Sequence, residues 1–354
     1  MKNGGIIVKR KYMSILVAGA MVASCLSGCT GVSAKKDDGK IKIVTTIFPE
    51  YDWVTNVLGD KADDVDVTML LDNGVDLHSY QCTAEDIMKI SDCDMFIYVG
   101  GESDTWVDDA LKEATNKDMV VINLMDVLED SVKEEEMVEG MQEGEHNHDH
   151  EEGEEHEHEH EEAEEGEEHE HEEGEEEYDE HVWLSIRNAV AIVESIEEGL
   201  EKIDSENADT YKANADVYVE KLNELDGKYT ETVENAEKDT ILFGDRFPFR
   251  YMVDDYGLNY YAAFSGCSAE TEASFETITF LAGKVDELGI KAVFTIENSD
   301  QTIAKTIVEN TETKDQKILT LDSMQSTTLK DVENGATYLS IMESNLEVLK
   351  EALK

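Results

Sequence analysis

Eight short apolar runs, four on each side of a long strandless stretch, constrain this 354-residue chain more than any other feature. The first four are Ile41 to Phe48, Val65 to Leu71, Met95 to Val99 and Val120 to Leu124. The second four are Thr240 to Gly244, Tyr260 to Phe264, Ala292 to Ile296 and Ile318 to Leu321. Helical patterns alternate with them, which is the signature of parallel sheets covered by helices. Between the two sets, from Trp183 to about Ala236, the apolar residues recur at helical spacing. Trp183, Ile186, Val190, Val193, Ile196 and Leu200 form one stripe, and Tyr211, Ala215, Tyr218, Leu222 and Leu225 form the next. Tyr338, Ile341, Leu346, Leu349 and Leu353 mark a closing amphipathic helix. The pattern is α/β: two similar lobes, each a mainly parallel four-stranded sheet covered by helices, joined by a long connecting α-helix. The expected divisions are an N-terminal lobe over 40–200, the connecting helix over 201–238 and a C-terminal lobe over 239–354.

An acidic insertion interrupts the first lobe. Residues 134–177 contain 25 Asp or Glu and no Lys or Arg, so of the formal net charge of -55 the remainder carries 55 − 25 = 30 negative charges. Such a balance argues against nucleic-acid binding, whose phosphates require Lys and Arg, and suits a surface that attracts cations. With few aliphatics and no aromatics, this segment cannot offset the entropy of ordering and is expected to be disordered when empty. It holds His146, His148, His150, His156, His158, His160, His169 and His171. A flexible chelator must order itself at each binding event, at about 1 kcal/mol or more per residue. These eight imidazoles therefore read as a low-affinity metal collector or sensor, with a solvated acidic linker as the alternative.

The N-terminus has the layout of a targeting segment. Lys9, Arg10 and Lys11 precede an apolar stretch from Ile15 to Leu26 that is too short to span a bilayer comfortably. Leu26-Ser27-Gly28-Cys29 closes it and resembles the bacterial lipobox, in which the Cys is diacylated; an ordinary signal peptide is the alternative. The expectation is a lipoprotein signal over 1–28, a tether over 29–39 and anchoring through Cys29 at the outer face of the cell membrane. Of the five cysteines, Cys82, Cys93 and Cys267 then remain, and Cys82 and Cys93 bracket a helical pattern as a possible pair.

Ligands of open parallel sheets bind beyond the carboxyl ends of the strands. His78 lies in GVDLHSY after the second run, Asp245 follows TILFG, Glu297 follows AVFTI, and Asp322 follows KILTL. Of ten histidines only His78 and His181 lie outside the acidic segment. Two imidazoles with one or two carboxylates suit zinc or manganese. Each residue alone has a plainer reading, the histidines as exposed or capping groups and the aspartates as helix N-caps. The four converge on one cleft only if the lobes face each other.

GVDLHSYQCTAEDIMKISDCDMFIYVG, EHVWLS, the Tyr-Gly-Leu of RYMVDDYGL, GCSAETEASFETI and TYLSIMESNLEVL together resemble the zinc- and manganese-specific substrate-binding lipoproteins of bacterial ABC importers. The resemblance runs from about Lys40 to the C-terminus. It implies two α/β lobes on a rigid helix with a metal cleft between them. His78 and His181 match the two first-lobe ligands, and Asp322 matches the acidic second-lobe ligand. The remaining position departs from the family: ten residues before Tyr256, where His or Glu is usual, stands Arg246, whose guanidinium cannot coordinate a cation. Asp245 is the adjacent candidate, with water or a loop histidine as alternatives. Cys82, four residues beyond His78, is a further soft donor unless it is packed or bonded, and Glu270 and Glu272 resemble an acidic stretch that supports the second lobe.

The resemblance implies a monomeric, non-enzymatic protein that captures Zn²⁺ between its lobes, with Mn²⁺ as the alternative cargo, and delivers it to an ABC permease and its ATPase. A zinc enzyme, with Glu297 as base, and a surface adhesin are the readings from other classes. No His-Glu-x-x-His helix supports the enzyme.

Overall fold

In the computed structural model, residues 39–142, 178–268 and 272–354 are described. The proposed signal, Cys29, the eight loop histidines and Glu270 lie outside them. Strands β1 Ile41–Thr45, β2 Val65–Met69, β3 Met95–Tyr98 and β4 Val120–Asn123 form a first parallel sheet in the order β2-β1-β3-β4. A second parallel sheet, in the order β6-β5-β7-β8, consists of β5 Thr240–Phe247, β6 Asn259–Ser265, β7 Ala292–Ile296 and β8 Lys317–Leu321. The two four-stranded parallel sheets covered by helices are the architecture the alternating pattern implies.

In the first lobe, α1 Phe48–Leu58, α2 Ala84–Ser91, α3 Val107–Lys112 and α4 Leu124–Leu128 alternate with the strands. The run Ile41 to Phe48 leaves the sheet at Thr45 because a helix start lies inside it. Pro49 sits in the first turn of α1, and the buried Glu50 carboxylate accepts from the Thr46 and Ile47 backbone N–H groups at 2.7 and 3.2 Å. At the other end of the lobe, Trp183 belongs to a short 3-10 turn, and α5 Ile186–Ile203 begins after Ser185, whose hydroxyl accepts from Asn188 N–H.

Helix α5 stops where Asp204 turns the chain, its carboxylate accepting from Asn207 and the Tyr211 hydroxyl. Helix α6 then runs Ala208–Glu234, 27 residues and about 40 Å. Its buried stripe of Tyr211, Ala215, Tyr218, Leu222, Leu225 and Tyr229 serves both lobes. Toward the first lobe Tyr218 donates to Asp52 and Asn214 donates to the Val57 carbonyl. Toward the second, Tyr229 stacks on Tyr256 of α7 Arg250–Tyr256 and donates to the Met342 carbonyl of the last helix, Tyr338–Ala352. That last helix also returns to the first lobe, where Tyr338 meets Trp53 edge-on at 5.1 Å and donates to the Trp183 carbonyl. Between α7 and the last helix lie α8 Phe275–Leu288, α9 Thr302–Asn310 and α10 Leu329–Glu333; the last helix is α11.

The described part of the acidic insertion differs from the expectation of disorder. Glu134 bridges to Tyr178, and Gln142 N–H donates to the Ala263 carbonyl at the far sheet. The carboxylates here are engaged: Glu136 takes Arg250 and the Tyr260 hydroxyl, and Glu135 takes the Cys267 N–H. Paired charges and backbone bonds hold a strap of 134–142 that composition alone would leave loose. Among the described residues no helix is long and apolar enough to cross a membrane.

Because Leu222 is fully buried on the helix that both lobes share, Leu222→Ala should lower unfolding stability by about 2–5 kcal/mol. Denaturant melts measure this, and a loss under about 1 kcal/mol would contradict the packing assigned to α6.

Candidate metal centre

His78 is set by the turn that follows β2. Asp76 caps a single 3-10 turn over Leu77–Ser79, accepting from His78 N–H at 3.0 Å, and this turns the imidazole inward. Its Nδ1 lies 2.9 Å from Ser103 Oγ and 3.3 Å from Glu180 Oε2. His181 is fully buried, and Asp179 Oδ1 accepts from both its backbone N–H (2.8 Å) and its Nδ1 (3.0 Å). Oxygen acceptors beside both Nδ1 atoms favour a proton there, and the two Nε2 atoms face each other at 3.1 Å.

Two lone pairs at that distance repel unless a proton or a cation lies between them. Carboxylates that take the Nδ1 proton and aim Nε2 are the usual support of a histidine metal ligand. A tetrahedral zinc with bonds of about 2.0–2.1 Å holds two nitrogens roughly 3.4 Å apart, close to what is observed. The electrostatics favour positive charge here. Complete burial would lower the proton affinity of His181, but Asp179, with Asp76 and Glu180, outweighs it and the net shift is upward. Burial would likewise raise Glu180, yet hydrogen bonds from His78 and Ser103 hold its carboxyl below the usual range. Glu180 reaches this position beside Gly101, at φ +80°, where a side chain would collide with its carboxylate.

The third donor near the pair is Cys267. One ligand atom from each of His78, His181 and Cys267 lies within 4.8 Å of the other two. Cys267 follows β6 by two residues, so the strand-end rule that flags Asp245 and Asp322 points to it equally, whereas its pattern GCS signals only a family motif. Ser103, Asp179 and Glu180 were also missed as supports, although Asp179 and Glu180 directly precede His181.

Asp245 and Asp322 are not among the three residues of this cluster. Asp245 sits at an irregularity in β5, accepting from its neighbour Arg246 N–H and from Ile296 N–H. It lines a cleft of about 460 Å³ between the lobes together with Asp76, Arg246 and Glu297. Asp322 Oδ1 accepts from Met324 N–H, and burial, with the neighbouring Glu297 charge, pushes its carboxyl up to about 6. Glu297 is occupied with Ser323 and Gln325. Arg246 crosses the cleft to Asp76 at 2.7 Å, so the residue standing at the usual ligand position ties the lobes together. Cys82 and Cys93 are free thiols, the first half-exposed and the second buried.

Residues 43–352 match the family described as zinc-uptake complex component A, periplasmic. The chain belongs to this family. It is 32% identical over 342 residues to the zinc-binding lipoprotein AdcA of Streptococcus pneumoniae, covering 96% of this chain and 61% of that one. It is 30% identical over 347 residues to the high-affinity zinc uptake system protein ZnuA of Bacillus subtilis, covering 97% and 98%. The Zn(II)-bound ZnuA-like domain of Streptococcus pneumoniae AdcA superposes with a TM-score of 0.64 at 28% identity, over 89% of this chain and 99% of that domain. The chain thus spans little more than half the length of the streptococcal proteins it matches.

One pH effect follows from a group beside the site. Asp104 is buried, and desolvation lifts its carboxyl to about 7, with Glu180 adding to the lift and the bond from Gly100 N–H opposing it. Between its ordinary 3.8 and about 7 the folded protein keeps a proton that the unfolded chain releases, so stability falls as pH rises through that window. Asp104→Asn should flatten this slope, by an amount on the order of 1–4 kcal/mol. Urea midpoints at pH 5 and pH 8 test it, and parallel behaviour of the two proteins would contradict the assignment.

Proposed function

We propose that this chain is the extracytoplasmic zinc-capture component of an ABC importer, a monomer that binds Zn²⁺ between its lobes and hands it to a membrane permease and its ATPase. The observation that carries the reading is the pair of Nε2 atoms facing each other at 3.1 Å, each imidazole oriented from behind by an oxygen acceptor. Zinc rather than manganese fits a centre led by two imidazoles, since Mn²⁺ prefers oxygen-rich surroundings. Capture and release need no bond-making chemistry, so the proposed role is non-enzymatic. The Leu-Ser-Gly-Cys sequence supports anchoring through lipid at Cys29, which would hold the protein at the outer face of the membrane.

The eight loop histidines serve in this reading as a weak collector in the segment that precedes His181 in sequence, and the carboxylates Asp322 and Asp245 remain outer candidates. The Arg246–Asp76 bridge links the two lobes across the cleft.

Calorimetric titration with Zn²⁺ tests the assignment. His78→Ala and His181→Ala should each remove the tightest equivalent, while deletion of 143–177 should remove only weaker ones. Loss of the tightest site on deleting the loop, with both histidine variants unaffected, would move the metal site out of the cleft. Growth under zinc chelation should fail for the histidine variants and survive the loop deletion.

A further inference from the structure

We infer that Cys267 is the third protein ligand of the cleft metal, making it a two-histidine, one-thiolate centre that selects ions with affinity for sulfur. The inference rests on the zinc-capture reading above and specifies its donor set. Three observations carry it. First, the position where the family resemblance calls for a further nitrogen or oxygen donor is held by Arg246, whose guanidinium is spent on Asp76 at 2.7 Å and can donate no lone pair. Second, among the described residues the only cluster of three or more candidate ligand atoms is His78, His181 and Cys267, all within 4.8 Å.

Third, the backbone is built to press this residue against the histidines. At Gly266 an added Cβ would lie 3.0 Å from His181 Cε1 and 2.9 Å from the Phe247 carbonyl, so only glycine lets the segment come this close. Glu135 from the 134–142 strap fixes the next amide, accepting from Cys267 N–H at 3.2 Å. Asp245 shows no such arrangement: its oxygens accept from the Arg246 and Ile296 N–H groups.

On coordination the S–H bond is replaced by a sulfur–metal bond and the proton leaves to solvent, with no change of oxidation state. Zinc accepts imidazole nitrogen and thiolate sulfur together in tetrahedral sites, and three protein ligands leave a fourth position open. A thiolate favours Zn²⁺ and its softer relatives over Mn²⁺.

The test uses the full chain loaded with one equivalent of Co²⁺ or Cd²⁺, whose thiolate complexes absorb by sulfur-to-metal charge transfer. Residues 143–177 contain no cysteine, so loop binding adds nothing to this band. The wild-type chain and a Cys82→Ser/Cys93→Ser variant should show the band, and Cys267→Ser should lose it. Zinc binding by Cys267→Ser should weaken by at least about tenfold, with an unchanged far-ultraviolet circular dichroism spectrum in the absence of metal. The band is read on the wild-type chain, so the outcome does not depend on the variant folding. A wild-type chain that binds zinc through His78 and His181 but shows no band overturns the thiolate assignment alone. A chain whose zinc affinity is untouched by His78→Ala overturns the cleft reading itself.

Discussion

Asp179 does for His181 what the rest of the centre depends on. A fully buried imidazole would ordinarily satisfy one nitrogen and leave the other to find any partner. Here one carboxylate oxygen takes both the backbone N–H and the Nδ1 proton, which fixes the ring, its tautomer and the direction of its remaining lone pair. Asp179 is itself held, its carbonyl accepting from the Tyr251 hydroxyl and its N–H donating to the Lys133 carbonyl. The charge that orients the ring also raises its affinity for a cation, proton or metal, so positioning and electrostatics act in one direction.

The surrounding fold keeps the two lobes in one register so that such distances persist. Trp183, two residues from His181, donates through its indole to the Ser323 carbonyl of the second lobe, and Tyr338 of the second lobe donates back to the Trp183 carbonyl. Together with the shared helix and the Arg246–Asp76 bridge, these bonds cross between the lobes at several points. A rigid frame of this kind sets the spacing of donors before the ion arrives, so that little ordering is left to oppose binding.

The repetitive parts of this design were legible in the sequence, because strand and helix periods report burial directly. All eight strands lie where the apolar runs place them, and their ends move by one to three residues where local chemistry intervenes, as at Thr45 before the Pro49 turn and at Phe247 beyond the irregularity in β5. The two histidines were legible because so few lie outside the loop, and the structure brings them to hydrogen-bonding distance across 103 residues of sequence. The third donor was less so. Arg246 shows that the family's usual donor is missing from its position, but no periodicity reveals that Gly266, just past the end of β6, lets the backbone approach His181 closely. Likewise, the 134–142 strap is locally polar and acquires order only from partners such as Arg250 and Ala263, more than a hundred residues away.

The account stands on a centre of two imidazoles and one thiolate in the cleft. X-ray absorption at the zinc edge of the full chain carrying one equivalent of Zn²⁺ measures it most directly. The expected result is a nitrogen and oxygen shell at about 2.0–2.1 Å with imidazole outer scattering, and a single sulfur at about 2.3 Å. A shell of nitrogen and oxygen alone would contradict the donor set, and the absence of imidazole scattering would contradict the site.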